Sequence, residues 1–93
     1  MATEAETGTP IMYHTYILKS KTAKRTYVGC TADIEKRLRE HNKGIVKSSK
    51  AYGPYSLLYK ETFLTFQEAR KKEAFYKSAS GRKALKKLLQ EII

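Results

Sequence analysis

Arg37 and His41 are separated by one helical turn, in a segment whose pattern predicts a helix over residues 32–42. At about 100° per residue they share one side of that helix with Ile34 and Leu38. A guanidinium and an imidazole therefore lie on an otherwise apolar face. Burying such groups without partners is costly, which indicates either an edge of the fold or a functional cleft.

Glu73 has the same anomaly on a second predicted helix, where it shares a side with Phe66, Ala69 and Tyr76. Each polar residue taken singly also has a structural interpretation. The stem of Arg37 could snorkel over the core and its head pair with a surface acid. His41 near a helix C-terminus would interact favourably with the helix dipole, and Glu73 could bridge to a nearby lysine.

Taken together, these residues have the chemistry that a metal-assisted phosphodiesterase needs. A carboxylate can hold one hard divalent cation whose other positions are filled by water and phosphate oxygens. A guanidinium matches phosphate oxygens as a fork, and a phenolate or an imidazole can accept a proton from water. The sequence offers no acid pair typical of a two-metal site and no Ser-His-Asp set.

The composition favours a polyanionic partner. The 93-residue chain carries a formal charge of +10, and two of its nine acids, Glu4 and Glu6, lie in the first eleven residues. The one cysteine excludes an intramolecular disulfide framework and a cysteine-based zinc site. No apolar run approaches the ~20 residues of a membrane span, and no signal peptide follows Met1. We therefore expect an intracellular, cytoplasmic, soluble domain with no membrane association.

The pattern of the chain predicts a leader and one α+β domain. Residues 1–11 are predicted to be a flexible leader or an added tail, and residues 12–93 the domain. The first half of the domain is predicted to have strands at 13–19 and 25–30, a helix at 32–42 started by Thr31, and a basic loop at 43–54. A strand at 55–63 follows, and then a helix that runs from a capping box at Thr65 to about residue 77. After a break at Ser80-Gly81, a third helix carries an apolar stripe of Ala84, Leu85, Leu88, Leu89 and Ile92.

The predicted order of elements is β-β-α-β-α-α. Along it the chain carries Tyr16, then Tyr27-Val28-Gly29, then the run from Asp33 to Arg37, then His41 and Glu73. This series resembles the GIY-YIG nuclease superfamily, and above all its small stand-alone members, over about residues 13–89.

The resemblance implies an α/β sandwich with a three-stranded antiparallel sheet and the site on one face of that sheet. It implies five catalytic residues, namely Tyr16, Tyr27, Arg37, His41 and Glu73. Water would attack the scissile phosphate and leave 5′-phosphate and 3′-hydroxyl ends, with Tyr27 as the base, assisted by Tyr16. Arg37 would steady the phosphate, one Mg²⁺ or Mn²⁺ would bind to Glu73, and Gly29 would allow close approach of the backbone.

The sequence departs from the family pattern in two places. His14 and Thr15 replace the glycine and isoleucine of the first motif, and we expect His14 to be a strand residue filling that space. The asparagine that many members carry after the glutamate is missing, since Asn42 is the only asparagine. Cys30, next to Gly29, is predicted to be a buried small hydrophobe.

Nucleic-acid contacts are predicted in the basic loop, although a simply solvated loop is an equal alternative. The predicted contacts are Lys43, Lys47, Lys50 and Tyr52, together with Ser48 and Ser49. The leading hypothesis is a divalent-metal-dependent DNA endonuclease of structure-selective or weakly sequence-selective type, acting in DNA repair or recombination, with RNA as the other substrate. The alternatives are a non-catalytic DNA- or RNA-binding module on the same fold and a ribosome-associated basic protein. A protein partner or a dimer is compatible with the sequence but has no visible motif.

Overall fold

The computed structural model describes residues 11–92, and the predicted leader lies outside the described residues apart from Ile11. The side chains of Leu89 and Ile92, two members of the predicted apolar stripe, also lie outside them. The elements follow the predicted order: β1 (Tyr13–Ser20), β2 (Thr26–Thr31), α1 (Ile34–Asn42), a short 3₁₀ helix (Lys50–Tyr52), β3 (Tyr55–Phe63), α2 (Phe66–Lys77) and α3 (Ala79–Ile92). None of the helices within 11–92 has the length and apolar character needed to cross a membrane.

The three strands form one antiparallel sheet in the order β2-β1-β3, so β2 is an edge strand. Tyr16 pairs with Gly29, and Leu18 pairs with Tyr27. Because directly paired residues point to the same side of a sheet, Tyr16 and Tyr27 share one face. The register that the sequence left open therefore brings the two tyrosines together.

Each face of the sheet is covered by helices. On the Tyr16 face, α1 packs through Ile34 and Leu38 against Tyr16, Leu18 and Tyr55. On the opposite face, α2 and α3 close a second core, whose buried members are Ile17, Val28, Tyr76 and Leu85. The result is the predicted α/β sandwich, with one helix above a three-stranded sheet and two helices below it.

The start of α1 differs from the prediction. The N-cap is Asp33, whose carboxylate accepts a hydrogen bond from the Lys36 amide at 3.1 Å, and the helix begins at Ile34. Thr31 is used one step earlier, because its hydroxyl accepts from the Asp33 amide at 3.2 Å. The helix ends as expected before Gly44, which adopts a positive φ of 75°.

At α2, the capping box predicted at Thr65 is present, with the Thr65 and Glu68 side chains bonded reciprocally to the backbone. The predicted break at Ser80-Gly81 is wrong, because α2 ends before Ser78 and both residues lie in the first turn of α3. The Ser78 hydroxyl donates to the Phe75 carbonyl at 2.6 Å and so completes the end of α2.

Candidate active site

A buried tyrosine and a buried histidine form the centre of the α1 face. The Tyr16 hydroxyl lies 2.9 Å from His41 Nε2, and the two side chains are 2% and 1% exposed. The rings of Tyr27 and Tyr55 pack edge-on against the same imidazole, with centroids 4.7 and 6.0 Å away. The helical periodicity that places His41 inward is therefore matched by its burial.

The second ring nitrogen of His41 also has a partner, which the sequence did not reveal. His41 Nδ1 lies 2.6 Å from the Ser49 hydroxyl, and the Ser49 carbonyl accepts from the Tyr55 hydroxyl at 2.7 Å. Ser49 is 1% exposed. Its predicted place among the solvent-facing nucleic-acid contacts is wrong, because the loop after α1 folds back over the imidazole.

Burial sets the protonation of this pair. Burial, with the nearby Arg37 cation, lowers the pKa of His41 to about 4, so the imidazole is neutral at pH 7. Burial also raises the pKa of Tyr16 to about 12, although Arg37 opposes that rise. A neutral histidine gains nothing from the helix dipole as a cation, so the dipole interpretation of His41 does not hold.

Arg37 lies beside the buried pair with its head toward solvent. Its Nη1 is 3.0 Å from Glu40 Oε1, and about a third of the Arg37 side chain, 37%, is exposed. Both residues line an open cavity of about 350 Å³ whose other wall is the end of β2 at Cys30. The pairing with a surface acid that the sequence allowed is present, and the guanidinium still faces a space large enough for a phosphate group.

Glu73 approaches from the opposite face of the sheet. Its Oε2 is 3.0 Å from Lys77 Nζ, and its Oε1 accepts from the Cys30 thiol at 3.3 Å. The bridge to a nearby lysine, which the sequence left open, is therefore present. Cys30 is only partly buried and bonds to a candidate site residue, so its prediction as a buried hydrophobe is wrong.

The two groups of residues meet at the edge strand. Glu73 is close enough to Tyr16 for its charge to contribute to the raised pKa of the phenol. The phenol of Tyr16 extends across Gly29, where a Cβ would lie 2.6 Å from Tyr16 Cζ. A side chain at position 29 would therefore collide with the Tyr16 phenol. The expectation of a site on one face of the sheet needs correction, since α1 and α2 contribute from opposite faces around β2.

Glu73 offers one carboxylate, and its two oxygens contact Lys77 and Cys30, so a hard divalent cation here would have to displace Lys77 and take most of its ligands from elsewhere. Within residues 11–92 no group of three or more His, Cys, Asp or Glu side chains is placed to share a metal ion. The Glu73 carboxylate lines an open cavity of about 200 Å³ with Arg70 and Lys77. Mg²⁺ is commonly held by one or two carboxylates with water and phosphate oxygens, and this arrangement leaves room for those ligands.

Apart from Ser49, the predicted nucleic-acid contacts after α1 are exposed. Lys43, Lys47 and Lys50 are all exposed, and Tyr52 packs under Arg25, whose guanidinium carbon is 4.4 Å from the ring centroid. Besides the buried bond of Ser49 to His41, the loop contacts the site through Ser48, whose hydroxyl lies 3.1 Å from that of Tyr27.

His14 and Asn42 have structural partners. His14 Nδ1 lies 2.9 Å from the Thr62 hydroxyl across the β1–β3 pair, as expected for a strand residue. The Asn42 side chain accepts from the Tyr55 amide at 2.6 Å and donates to the Tyr55 carbonyl at 3.1 Å. Asn42 therefore joins the end of α1 to the start of β3.

The sandwich has the strands and helices, in the same order, that the resemblance to the nuclease superfamily implied. In agreement, residues 12–87 match the GIY-YIG catalytic domain, and the chain belongs to the GIY-YIG family.

The chain is also similar to proteins of comparable length. A UPF0213 protein of Staphylococcus saprophyticus is 41% identical over 75 residues, which cover 80% of this chain and 90% of that protein. A UPF0213 protein of Clostridium perfringens is 36% identical, with 80% of each chain covered. The solution NMR structure of a UPF0213 protein from Bacillus halodurans is 29% identical and covers 83% of this chain and 84% of its own, with a TM-score of 0.49.

Proposed function

We propose that the protein is a divalent-metal-dependent DNA endonuclease that hydrolyses phosphodiester bonds to 5′-phosphate and 3′-hydroxyl ends. The observation that carries the proposal is the buried Tyr16–His41 hydrogen bond next to the Arg37 guanidinium. A core that served stability alone could use apolar side chains here, without the desolvation cost of a phenol and an imidazole. The membership of the chain in a nuclease family supports the same conclusion.

Arg37 is the group that would hold the scissile phosphate. Its planar fork matches two phosphate oxygens, and Glu40 restrains the guanidinium at the mouth of the cavity. A fixed cation that meets charge developing in the transition state supplies a large part of the rate enhancement of many hydrolases.

Tyr27 would accept the proton of the attacking water, as a phenolate or through a bridging water. Tyr27 is partly exposed, whereas Tyr16 is 2% exposed and is bonded to His41. Water therefore reaches Tyr27 more easily. The Tyr16–His41 pair lies beneath it and holds the ring of Tyr27 against the imidazole, which is the assisting role.

Glu73 would hold one Mg²⁺ or Mn²⁺ after Lys77 releases its carboxylate. The bound ion would neutralise charge on the phosphate and on the leaving oxygen. The Cys30 thiol keeps the other carboxylate oxygen at the edge of β2. Glu73 then faces the reacting phosphate from the side opposite to Arg37.

The substrate is DNA with structure-selective or weakly sequence-selective cleavage, as in repair or recombination. Phosphate contacts position a protein on nucleic acid but carry no sequence information. Many of the exposed residues of this protein are lysines and arginines, which are suited to phosphate contacts. A single domain of 93 residues has little area left for base recognition.

The test is a nicking assay on supercoiled plasmid, on a branched DNA duplex and on an RNA of the same sequence, with Mg²⁺, Mn²⁺ or EDTA. Glu73→Gln and Arg37→Gln are compared with Glu35→Gln and Arg39→Gln, which remove the same charges from exposed positions on α1. We expect a loss of roughly 10²-fold or more in the first two variants and little change in the controls.

Three outcomes would contradict this proposal. Salt-sensitive binding without cleavage of any substrate would make the chain a nucleic-acid-binding module. Cleavage that survives Glu73→Gln would place the reaction elsewhere. Cleavage of the RNA alone would mean that the substrate is RNA and not DNA.

A further inference from the structure

A cleft of about 460 Å³ lies between the outer edge of β2 and the junction of α2 and α3. Lys77 and Arg82 line this cleft, and so do the apolar side chains Val28 and Leu85. Among the side chains that the structure describes, no acidic one lines it. Two cations over an apolar floor are complementary to a group that has an anionic part and a flat apolar part.

The junction of the helices brings Lys77, the last residue of α2, and Arg82, in the first turn of α3, to the same cleft. A Cβ at Gly81 would lie 2.7 Å from the Cα of Tyr76, so only glycine lets the first turn of α3 rest on the last turn of α2. The Ser78 hydroxyl accepts from the Gly81 amide at 3.1 Å, and the Arg82 amide donates to the Ser78 carbonyl at 2.9 Å. Arg82 is therefore held one turn beyond Lys77.

The cleft adjoins the candidate active site at Lys77. Tyr27 borders the cleft, while its ring packs against His41 on the other face of β2. Lys77 belongs both to this cleft and to the cavity at Glu73, whose carboxylate it contacts at 3.0 Å. A strand whose phosphate lies between Arg37 and Glu73 would reach the cleft within a nucleotide or so along the edge of β2.

We propose that this cleft binds one unpaired nucleotide of the substrate strand, next to the bond that is cut. Lys77 and Arg82 bind its phosphate, and its base packs against Val28 and Leu85. A base engaged in a duplex cannot enter a cleft at a sheet edge, so the site selects substrates with an unpaired segment beside the cleavage point. The proposal rests on the proposed function for the position of the cut, but the binding itself requires no cleavage.

The first experiment maps the site with 5′-phosphorylated dithymidylate, titrated into ¹⁵N-labelled protein in EDTA at low salt. We expect the largest amide shifts at Val28, Lys77, Arg82 and Leu85. The same compound with an abasic 3′ residue should bind more weakly. Shifts confined to residues 43–52 would overturn the proposal, and equal binding of the abasic compound would overturn the place given to the base.

The second experiment uses a fluorescent 12-nucleotide single strand and two variants that lose the same charge. Arg82→Gln removes a cation that lines the cleft, whereas Lys83→Gln removes the exposed neighbour outside it. We expect Arg82→Gln to weaken binding roughly fivefold. The negative slope of log K, where K is the association constant, against log salt concentration should also become shallower by about 0.7, the value for one lost phosphate contact on a single strand. Lys83→Gln should change both far less.

Equal losses in the two variants would mean that only overall charge matters, and would overturn the cleft as a site. This result is separable from the nuclease proposal, because binding is measured in EDTA and Glu73 is unchanged. Conversely, failure of the nicking assay would remove the proposed function while leaving the difference between Arg82→Gln and Lys83→Gln intact. A thermal melt of each variant excludes unfolding as the cause.

Discussion

The face of the sheet that packs against α1 and the face that packs against α2 and α3 are built from different side chains. Against α1, the buried groups include a phenol, an imidazole and a serine hydroxyl, joined by hydrogen bonds of 2.9 and 2.6 Å. Against α2 and α3, the core has Ile17 and Val28 with Leu85 and Tyr76. Its polar groups do not form a shared network, because the Tyr76 phenol donates to Glu61 and the buried Thr15 hydroxyl donates to the Ala69 carbonyl. Among residues 11–92, no buried side-chain nitrogen or oxygen lacks a hydrogen-bond partner.

This difference separates stability from chemistry. Apolar contacts on the α2–α3 face stabilise the fold without directional requirements. The polar network on the α1 face is stabilising only while every member keeps its partner, because an unsatisfied buried group costs about 1–3 kcal/mol. We expect this network, which lies beside the cavity at Arg37, to serve the proposed activity as well as stability.

The largest expected effect is on the α2–α3 face. Ile17 is fully buried, and Ile17→Ala should lower the free energy of unfolding by about 3 kcal/mol through lost burial and a residual cavity. Leu57→Ala, on the same sheet but 38% exposed, is the control and should cost less than about 1 kcal/mol. Urea denaturation measures both. Nicking per folded molecule should be unchanged, and a specific loss of nicking in Ile17→Ala would break the separation of the two faces.

The next effect is a pH dependence that arises on the α1 face. The pKa of His41 is lowered to about 4 in the folded protein from its ordinary value of 6.5. Because the folded state disfavours the proton, His41 contributes its full stabilisation above pH 6.5. That contribution is lost as pH falls from 6.5 toward 4, and below that range both states are protonated. The loss should amount to about 3 kcal/mol.

The measurement is urea denaturation between pH 4 and 7.5 for wild type, His41→Gln and His14→Gln. His14 is the control, since burial and Lys60 also lower its pKa but it is bonded to a strand neighbour outside the network. We expect His41→Gln to abolish most of the decrease in the free energy of unfolding between pH 6.5 and 4. His14→Gln should retain most of that decrease. If only His14→Gln removes the pH dependence of the unfolding free energy, the assignment of a neutral imidazole to His41 is wrong.

Adjacent serines give a smaller and sharper comparison. Ser49→Ala leaves His41 Nδ1 without its partner in a buried site and should cost about 1–2 kcal/mol of unfolding free energy. Ser48→Ala removes only a bond to the partly exposed Tyr27 and should cost less than about 0.5 kcal/mol. Thermal denaturation under matched buffer separates the two. Equal costs would show that Ser49 does not position the imidazole.

The sequence was sufficient for the features that depend on local patterns. Helical periodicity placed His41 inward, alternation in the strands put Tyr16 and Tyr27 within reach of one another, and the Thr65 capping box located the start of α2. It failed at the start of α1, because Thr31 and Asp33 are both good caps and their ranking depends on a hydrogen bond between them.

The missed features depend on long-range packing. Ser49 lies in a loop without periodicity, and its burial follows from the return of that loop across α1. The contact between Cys30 and Glu73 joins residues 43 positions apart. It depends on how α2 crosses the far face of the sheet, which no local pattern encodes.

The smallest expected effect concerns the contact between Cys30 and Glu73, which joins the edge of β2 to α2. Burial, more than the Glu73 carboxylate, raises the pKa of the Cys30 thiol to about 11. The thiol should therefore react slowly with iodoacetamide at pH 8. In Glu73→Gln the carboxylate is gone but the burial remains, so alkylation should accelerate only by roughly threefold. Glu68→Gln, which removes an acid at the other end of α2, serves as the control. An unchanged rate in Glu73→Gln would mean that the carboxylate does not lie against the thiol in solution, and that α2 does not bring Glu73 to the edge of β2.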